Sequence, residues 1–195
     1  MSQTKADIRK QLRRILAGMT DDDRRAKSRL ACALLADSPE FRAARVVMIY
    51  LSLPTELDTS PLALRAWQEG KTVVAPRIGW DQRRLMPVEI ASLHDPMSVG
   101  DFGVREPAQG APLPVSMIDL VLVPGLGFTP AGHRIGRGMG FYDRFLSQSD
   151  FVGLACGLAF EDQVVQSLPV LDHDVRLGML VTDRGIRRFS SNPIR

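Results

Sequence analysis

The chain has 195 residues, 45% of them hydrophobic and 24% charged, with 25 basic against 22 acidic side chains and a formal charge of +3. That is enough apolar side chain for one globular core and excludes a disordered chain. The charge excess is too small to require nucleic acid and suits a small anionic substrate.

No stretch approaches the ~20 apolar residues of a membrane span. The N-terminal MSQTKADIRKQLRR lacks the apolar run of a secretory leader, so the cytoplasm is the expected address. Cys32 and Cys156 share no ligand spacing and are expected to be small buried hydrophobes in a reducing compartment. Residues 5–18 read as a helix with Ile8, Leu12, Ile15 and Leu16 on one stripe. Thr20 followed by Asp21, Asp22 and Asp23 has the form of an N-cap with acids in the first turn. The helix it opens runs to about Ala36, with Leu30, Leu34 and Leu35 on its apolar face, and Pro39 closes it. Residues 45–50 (RVVMIY) form a short β-branched run, expected to be a buried strand. Residues 59–69 read as a helix stopped by Gly70, and 72–76 and 84–89 as strands. From 97 to 115 the chain is rich in Gly and Pro and is expected to be mostly loop. Residues 119–123 (DLVLV) are the clearest buried strand and run into a long glycine-rich loop. A helix over 141–148 and strands over 152–158 and 180–182 follow. This alternation predicts one α/β domain over residues 1–195 with a mostly parallel sheet. Ligands bind such sheets beyond the carboxyl ends of the strands, where the loop after DLVLV lies.

That loop reads GHRIGRGMGFYDR over residues 132–144. Glycines let backbone N–H groups turn toward an anion and let it approach closely. The start of the following helix adds partial positive charge. Arg134 and Arg137 supply planar donors matched to phosphate. The pattern lacks the GK[ST] of a P-loop and the spacing of a dinucleotide fingerprint. A mobile turn is the plain alternative, made less attractive by the two interleaved arginines.

DLVLVPGLGF over 119–128 followed by the 132–144 loop closely resembles the 5-formyltetrahydrofolate cyclo-ligase family, also called 5,10-methenyltetrahydrofolate synthetases. KADIR at 5–9, YLSLPTELDT at 50–59, GDFGVREP at 100–107 and DHD at 172–174 extend the resemblance over nearly the whole chain. The resemblance implies a three-layer α/β/α, Rossmann-like sandwich of the NagB/RpiA/CoA-transferase type. It also implies an ATP- and magnesium-dependent reaction. The formyl oxygen of 5-formyltetrahydrofolate is phosphorylated, N10 attacks the activated carbon, and 5,10-methenyltetrahydrofolate, ADP and phosphate result.

Site residues follow from the same resemblance. Lys5 and Arg9 lie four apart on one helical face, which by spacing alone is a solvated face. The family pattern makes them phosphate contacts, with Lys5 and Arg137 assisting catalysis. The ATP site comprises these residues with Arg134, Gly136, Gly138, Gly140, Phe141 and Tyr142. Folate is assigned to Leu51, Glu56, Phe102, Arg137 and Phe141; the alternative for Glu56 is a loop acid capping the helix that starts near Thr59. Mg2+ is assigned to Asp143 and Asp174, since magnesium takes few carboxylates beside substrate phosphates. Asp143 also fits a helix first-turn acid. His173 between its two aspartates is expected to pack in a turn. Met139, Phe141 and Gly178 depart from residues the family often carries. They leave open a paralogue with altered substrate preference or a binding protein without catalysis. The expected partners are ATP and 5-formyltetrahydrofolate, with or without a polyglutamate tail. No nucleic acid or membrane partner is expected, and a monomer is.

Overall fold

A computed structural model describes residues 4–81, 83–100 and 103–189. Helix α1 (Lys5–Ala17) starts where Thr4 accepts from the Asp7 N–H at 3.2 Å and the Asp7 carboxylate accepts back from Thr4. Ile8, Leu12 and Leu16 form its buried stripe, and Ile15 lies outside it. Thr20 caps α2 (Asp21–Ala36) through the Asp23 N–H. The buried face of α2 is Ala31, Cys32, Leu35 and Ala36, whereas Leu30 and Leu34 are exposed. Small side chains let α2 lie close to its neighbours, so of the stripe expected from the sequence only Leu35 is packed. Pro39 opens α3 (Pro39–Ala43) rather than closing α2, because a first helical position needs no N–H.

Strand β1 (Val46–Met48) leads through α4 (Ser60–Gln68) to β2 (Thr72–Gly79). Gly70, at φ 71°, supplies the left-handed turn that ends α4. Strand β2 turns directly into antiparallel β3 (Arg84–Glu89), with no helix between them. The 97–115 region holds a small hairpin, β4 (Met97–Val99) with β5 (Arg105–Pro107), not loop alone. Next come β6 (Leu120–Val123), the two-residue ribbon β7 (Gly127–Phe128) and β8 (Arg134–Ile135), and α5 (Phe141–Leu146). The chain then forms β9 (Leu154–Leu158), β10 (Met179–Thr182) and β11 (Gly185–Arg188).

The main sheet has seven strands in the order β11-β10-β9-β6-β1-β2-β3. Strands β10, β9, β6, β1 and β2 are parallel, and each edge is an antiparallel hairpin partner. Strand β11 has no apolar run (GIRR) and was not expected; its partner supplies the pairing that its composition does not announce. Asp119 Oδ2 accepts from the Arg45 and Val46 N–H groups at 2.7 and 2.9 Å and ties β6 to the start of β1.

Successive strand residues point to opposite faces. Val47, Leu122 and Val181 pack with Leu12, Leu35 and Leu62 of the helices on one side. Met48, Val121 and Leu180 pack with Phe128, Phe145 and Leu146 on the other. The result is a three-layer α/β/α sandwich whose second outer layer is thin, a single short helix with coil. Both cysteines are free and buried, as expected. Burial raises the Cys32 thiol to about 12 and the Cys156 thiol further, so both stay protonated. No helix among the described residues is long and apolar enough to cross a membrane.

Candidate functional site

From β1 the chain fills one side of the sheet with β2, then returns to place β6, β9 and β10 on the other. Connections therefore leave β1 and β6 in opposite directions, and a crevice opens beyond their carboxyl ends. A cavity of about 560 Å³ lies there, a size suited to a small-molecule ligand. Its walls are the segment after β1, the loop after β6, one face of α1, the β2–β3 hairpin and residues 171–174.

The segment after β1 is held by its own side chains. Ser52 Oγ donates to Leu57 O at 2.8 Å, Thr59 Oγ1 to Tyr50 O at 2.6 Å and the Tyr50 hydroxyl to Leu57 O at 3.1 Å. Leu51 is buried against the cavity. Glu56 Oε2 accepts from the Leu53 N–H at 3.0 Å, and its Oε1 faces Arg137. It does not cap α4: Asp58 Oδ1 takes the Ser60 N–H at 2.9 Å.

The glycine-rich loop begins with the β7–β8 ribbon and ends in α5. Gly138 and Gly140 have φ of 116° and 66°, values that strain any residue with a Cβ. Arg144 staples the loop: its Nη2 donates to Met139 O at 2.8 Å and its Nε to Arg83 O at 2.9 Å, and its guanidinium lies over the Phe141 ring. Trp80 meets that ring edge-on, with centroids 5.6 Å apart.

Three ion pairs sit on the cavity walls. Lys5 Nζ donates to Asp174 Oδ2 at 2.7 Å, and that oxygen also accepts from the Leu171 N–H. Arg134 Nη2 donates to Asp143 Oδ1 at 2.9 Å, and the same oxygen accepts from the Val175 N–H at 3.1 Å. Arg137 reaches Glu56 Oε1 through Nε and Nη2 at 3.1 and 3.0 Å. Arg9 Nε donates to Gly136 O at 3.0 Å. Burial pulls the Asp174 carboxyl upward, but the hydrogen bonds from Lys5 and Leu171 and the Lys5 charge together hold it below the ordinary range. Arg134 is buried, and burial lowers its affinity for its proton against the opposing pull of Asp143. The Tyr142 hydroxyl is buried with no hydrogen-bond partner among the described residues, and burial raises its pKa far above that of a free phenol.

The cavity thus gathers Lys5, Arg9, Leu51, Glu56, Arg134, Gly136, Arg137, Gly138, Gly140, Phe141, Tyr142, Asp143 and Asp174. Phe102 lies outside the described residues. Arg137, expected to meet a ligand phosphate, is paired with Glu56 in the free protein, because the loop after β1 faces the loop after β6. His173 is exposed, with Nε2 3.8 Å from Asp174 Oδ1. Gly178 is a packing position: a Cβ there would lie 2.6 Å from Leu154 Cδ1. Among the described residues no group of three or more His, Cys, Asp and Glu side chains is placed to hold a metal by itself. Asp143 and Asp174 each take their hydrogen bonds on one oxygen, and the other accepts none from the described residues. Trp80, Arg13 and Tyr50 also line the cavity and were not identified from the sequence. Only Arg13 carried a signal, four residues after Arg9; the others depend on how the hairpin and β1 meet.

The model of the 5-formyltetrahydrofolate cyclo-ligase family matches residues 1–183. The chain is similar to the 5-formyltetrahydrofolate cyclo-ligase of Escherichia coli strain K12, 31% identical over 176 residues covering 84% of this chain and 92% of that protein. It is similar to the mouse enzyme of that name, 26% identical over 194 residues covering 91% and 92%. The NMR structure of Aquifex aeolicus 5,10-methenyltetrahydrofolate synthetase superposes with a TM-score of 0.84 at 28% identity, covering 99% of this chain and 96% of that one. A Mycoplasma pneumoniae synthetase shares the fold, with a TM-score of 0.76 at 18% identity over 93% and 99%. With the family model spanning the sheet from β1 to β10, the glycine-rich loop and the paired carboxylates alike, this chain belongs to the 5-formyltetrahydrofolate cyclo-ligase family.

Proposed function

We infer that this chain is an ATP-dependent 5-formyltetrahydrofolate cyclo-ligase. The observation that carries the reading is the meeting of Arg137 and Glu56 across one cavity, in a chain of this family. A guanidinium on a glycine-rich loop suits a phosphate, and a half-buried carboxylate suits the N–H donors of a pterin ring. In the proposed reaction the formyl oxygen on N5 takes the γ-phosphoryl group and ADP leaves. The N10 lone pair then attacks the formyl carbon, the C–O bond breaks with phosphate as leaving group, and N10 loses its proton.

Lys5, Arg9, Arg134 and Arg137, with Gly136, Gly138, Gly140, Phe141 and Tyr142, are proposed to bind ATP. Arg137 and Lys5 favour the charge spread over the moving phosphoryl oxygens. Leu51, Glu56, Phe141 and Arg137 are proposed to hold folate. Asp143 and Asp174 would hold Mg2+, which when bound neutralises phosphate charge. The paired carboxylates argue against a binding protein without catalysis, which needs no such acids. A monomer accepting folate with or without a polyglutamate tail completes the reading. The test mixes the protein with 5-formyltetrahydrofolate and Mg-ATP and follows the near-ultraviolet absorbance of the methenyl product. Product must need all components; equal formation without ATP would sink the assignment.

A further inference from the structure

The three ion pairs engage every carboxylate that lines the cavity among the described residues. Among the described residues, two arginines on its wall are left without an acid. Arg9 donates there only to a carbonyl, and Arg13 makes no hydrogen bond or ion pair with any of them.

Both are held in place by how α1 docks. Residues 5, 9 and 13 follow one another at helical i, i+4 spacing and share a stripe. The stripe Ile8, Leu12 and Leu16 is buried. Leu12 Cδ1 lies 2.6 Å from the point a Cβ on Gly127 would occupy, so the helix packs closely on that strand. With this stripe buried, rolling the helix to turn Arg13 away would expose it. Arg9 rests on the glycine-rich loop, its Cζ 3.8 Å from the Cβ position of Gly138. Arg13 follows one turn on, about 6 Å further along the axis. Two neighbouring guanidiniums on a concave wall, without an acid between them, focus positive potential there. An exposed arginine is ordinarily just a solvated charge; membership in the cavity wall and the lack of any acid beside it distinguish this one.

We propose that Arg13, with Arg9, forms an oxyanion subsite one helical turn beyond the glycine-rich loop, seating a phosphate or carboxylate group of a bound substrate. The proposal rests on the function inferred above, under which two ligands can bring such a group: the nucleotide through its phosphates, the folate through its glutamate. Lys5 is committed to Asp174, whereas Arg9 uses only Nε on the Gly136 carbonyl among the described residues, which leaves its terminal nitrogens to share an oxyanion with Arg13.

The test titrates wild type, Arg13→Ala and Arg13→Lys at low salt with ADP and with 5-formyltetrahydrofolate. Each ligand is paired with a truncated form, AMP for ADP and the pteroate lacking glutamate for the folate. Arg13→Ala is expected to weaken one full ligand about tenfold, with Arg13→Lys recovering part of the loss, since it keeps the charge without the planar fork. The truncated form of that ligand should bind wild type and Arg13→Ala alike. Loss confined to ADP assigns the subsite to phosphate; loss confined to the folate assigns it to carboxylate. The wild-type preference should also fade with salt more steeply than that of Arg13→Ala. If Arg13→Ala binds both full ligands within twofold of wild type, the subsite does not exist. A wild type that fails to form methenyl product defeats the functional reading instead, so the two failures are distinguishable.

Discussion

Replacing Glu56 by glutamine should separate the two substrates in opposite directions. In the free protein Glu56 Oε1 receives both Arg137 donors, at 3.1 and 3.0 Å. The Glu56 side chain is 12% exposed and that of Arg137 40%, so solvent screens the pair. Its worth is then close to that of a surface pair, about 0.2–1 kcal/mol, not the several kcal/mol of a dry interior. A nucleotide phosphate must draw Arg137 away from Glu56 and bears that cost. Glu56→Gln removes it, so ADP should bind up to about fivefold more tightly. Folate should lose a charged acceptor, about 1.5–3 kcal/mol, or roughly ten- to hundredfold in Kd. The melting temperature should fall by no more than about 2–4 °C. The same exchange couples the substrates in wild type, because a nucleotide that occupies Arg137 frees Glu56 for the pterin. ADP should therefore tighten 5-formyltetrahydrofolate, and by linkage the reverse, with the coupling absent in Glu56→Gln. Calorimetric titration of each ligand, alone and with the other present, measures all four affinities. An ADP affinity that drops in Glu56→Gln, or a folate affinity that does not, would refute the partner-exchange reasoning.

Asp143→Asn keeps an acceptor for buried Arg134 but removes the charge. It should raise the magnesium needed for half-maximal rate and cost on the order of 1–3 kcal/mol in stability; normal activity at limiting magnesium would reduce Asp143 to a structural partner of Arg134. Tyr142→Phe removes a buried hydroxyl that has no partner, so the free protein should melt no lower than wild type while ligand affinity falls. A clear loss of stability with unchanged binding would show that the hydroxyl serves the fold instead. Glu161 is held below its ordinary value of 4.5, chiefly by the Arg187 hydrogen bond and against the upward push of burial, with Thr182 adding a second donor. A depressed carboxyl contributes stability that is complete above the unfolded value and lost as pH falls through the lower folded one. Melting curves of wild type and Glu161→Gln should therefore converge on acidification from pH 5 toward 3, and parallel curves would contradict the assignment.

Much of the architecture is local and so is written along the chain. The cap Thr20, the stop at Gly70 and the apolar runs of β1 and β6 act within a few residues, and each falls where the sequence places it. The glycine-rich loop is equally legible, since backbone φ and side-chain charge are properties of the segment itself. Pairing is not local. Strands β3 and β11 join the sheet edges through neighbours that supply hydrogen bonds, and β11 has no apolar pattern to announce it. The packed face of α2 is chosen by how close the sheet can come, which favours Ala31 and Cys32 over Leu30 and Leu34. The site shows the division most sharply. Sequence and resemblance named Lys5, Glu56, Arg137 and Asp174, each as a ligand contact. Only the strand order, by bringing the ends of β1 and β6 together, decided that Arg137 meets Glu56 across 81 residues and Lys5 meets Asp174 across 169. Charge type is fixed by the residue, whereas which opposite charge compensates it depends on distances that exist only once the chain has folded.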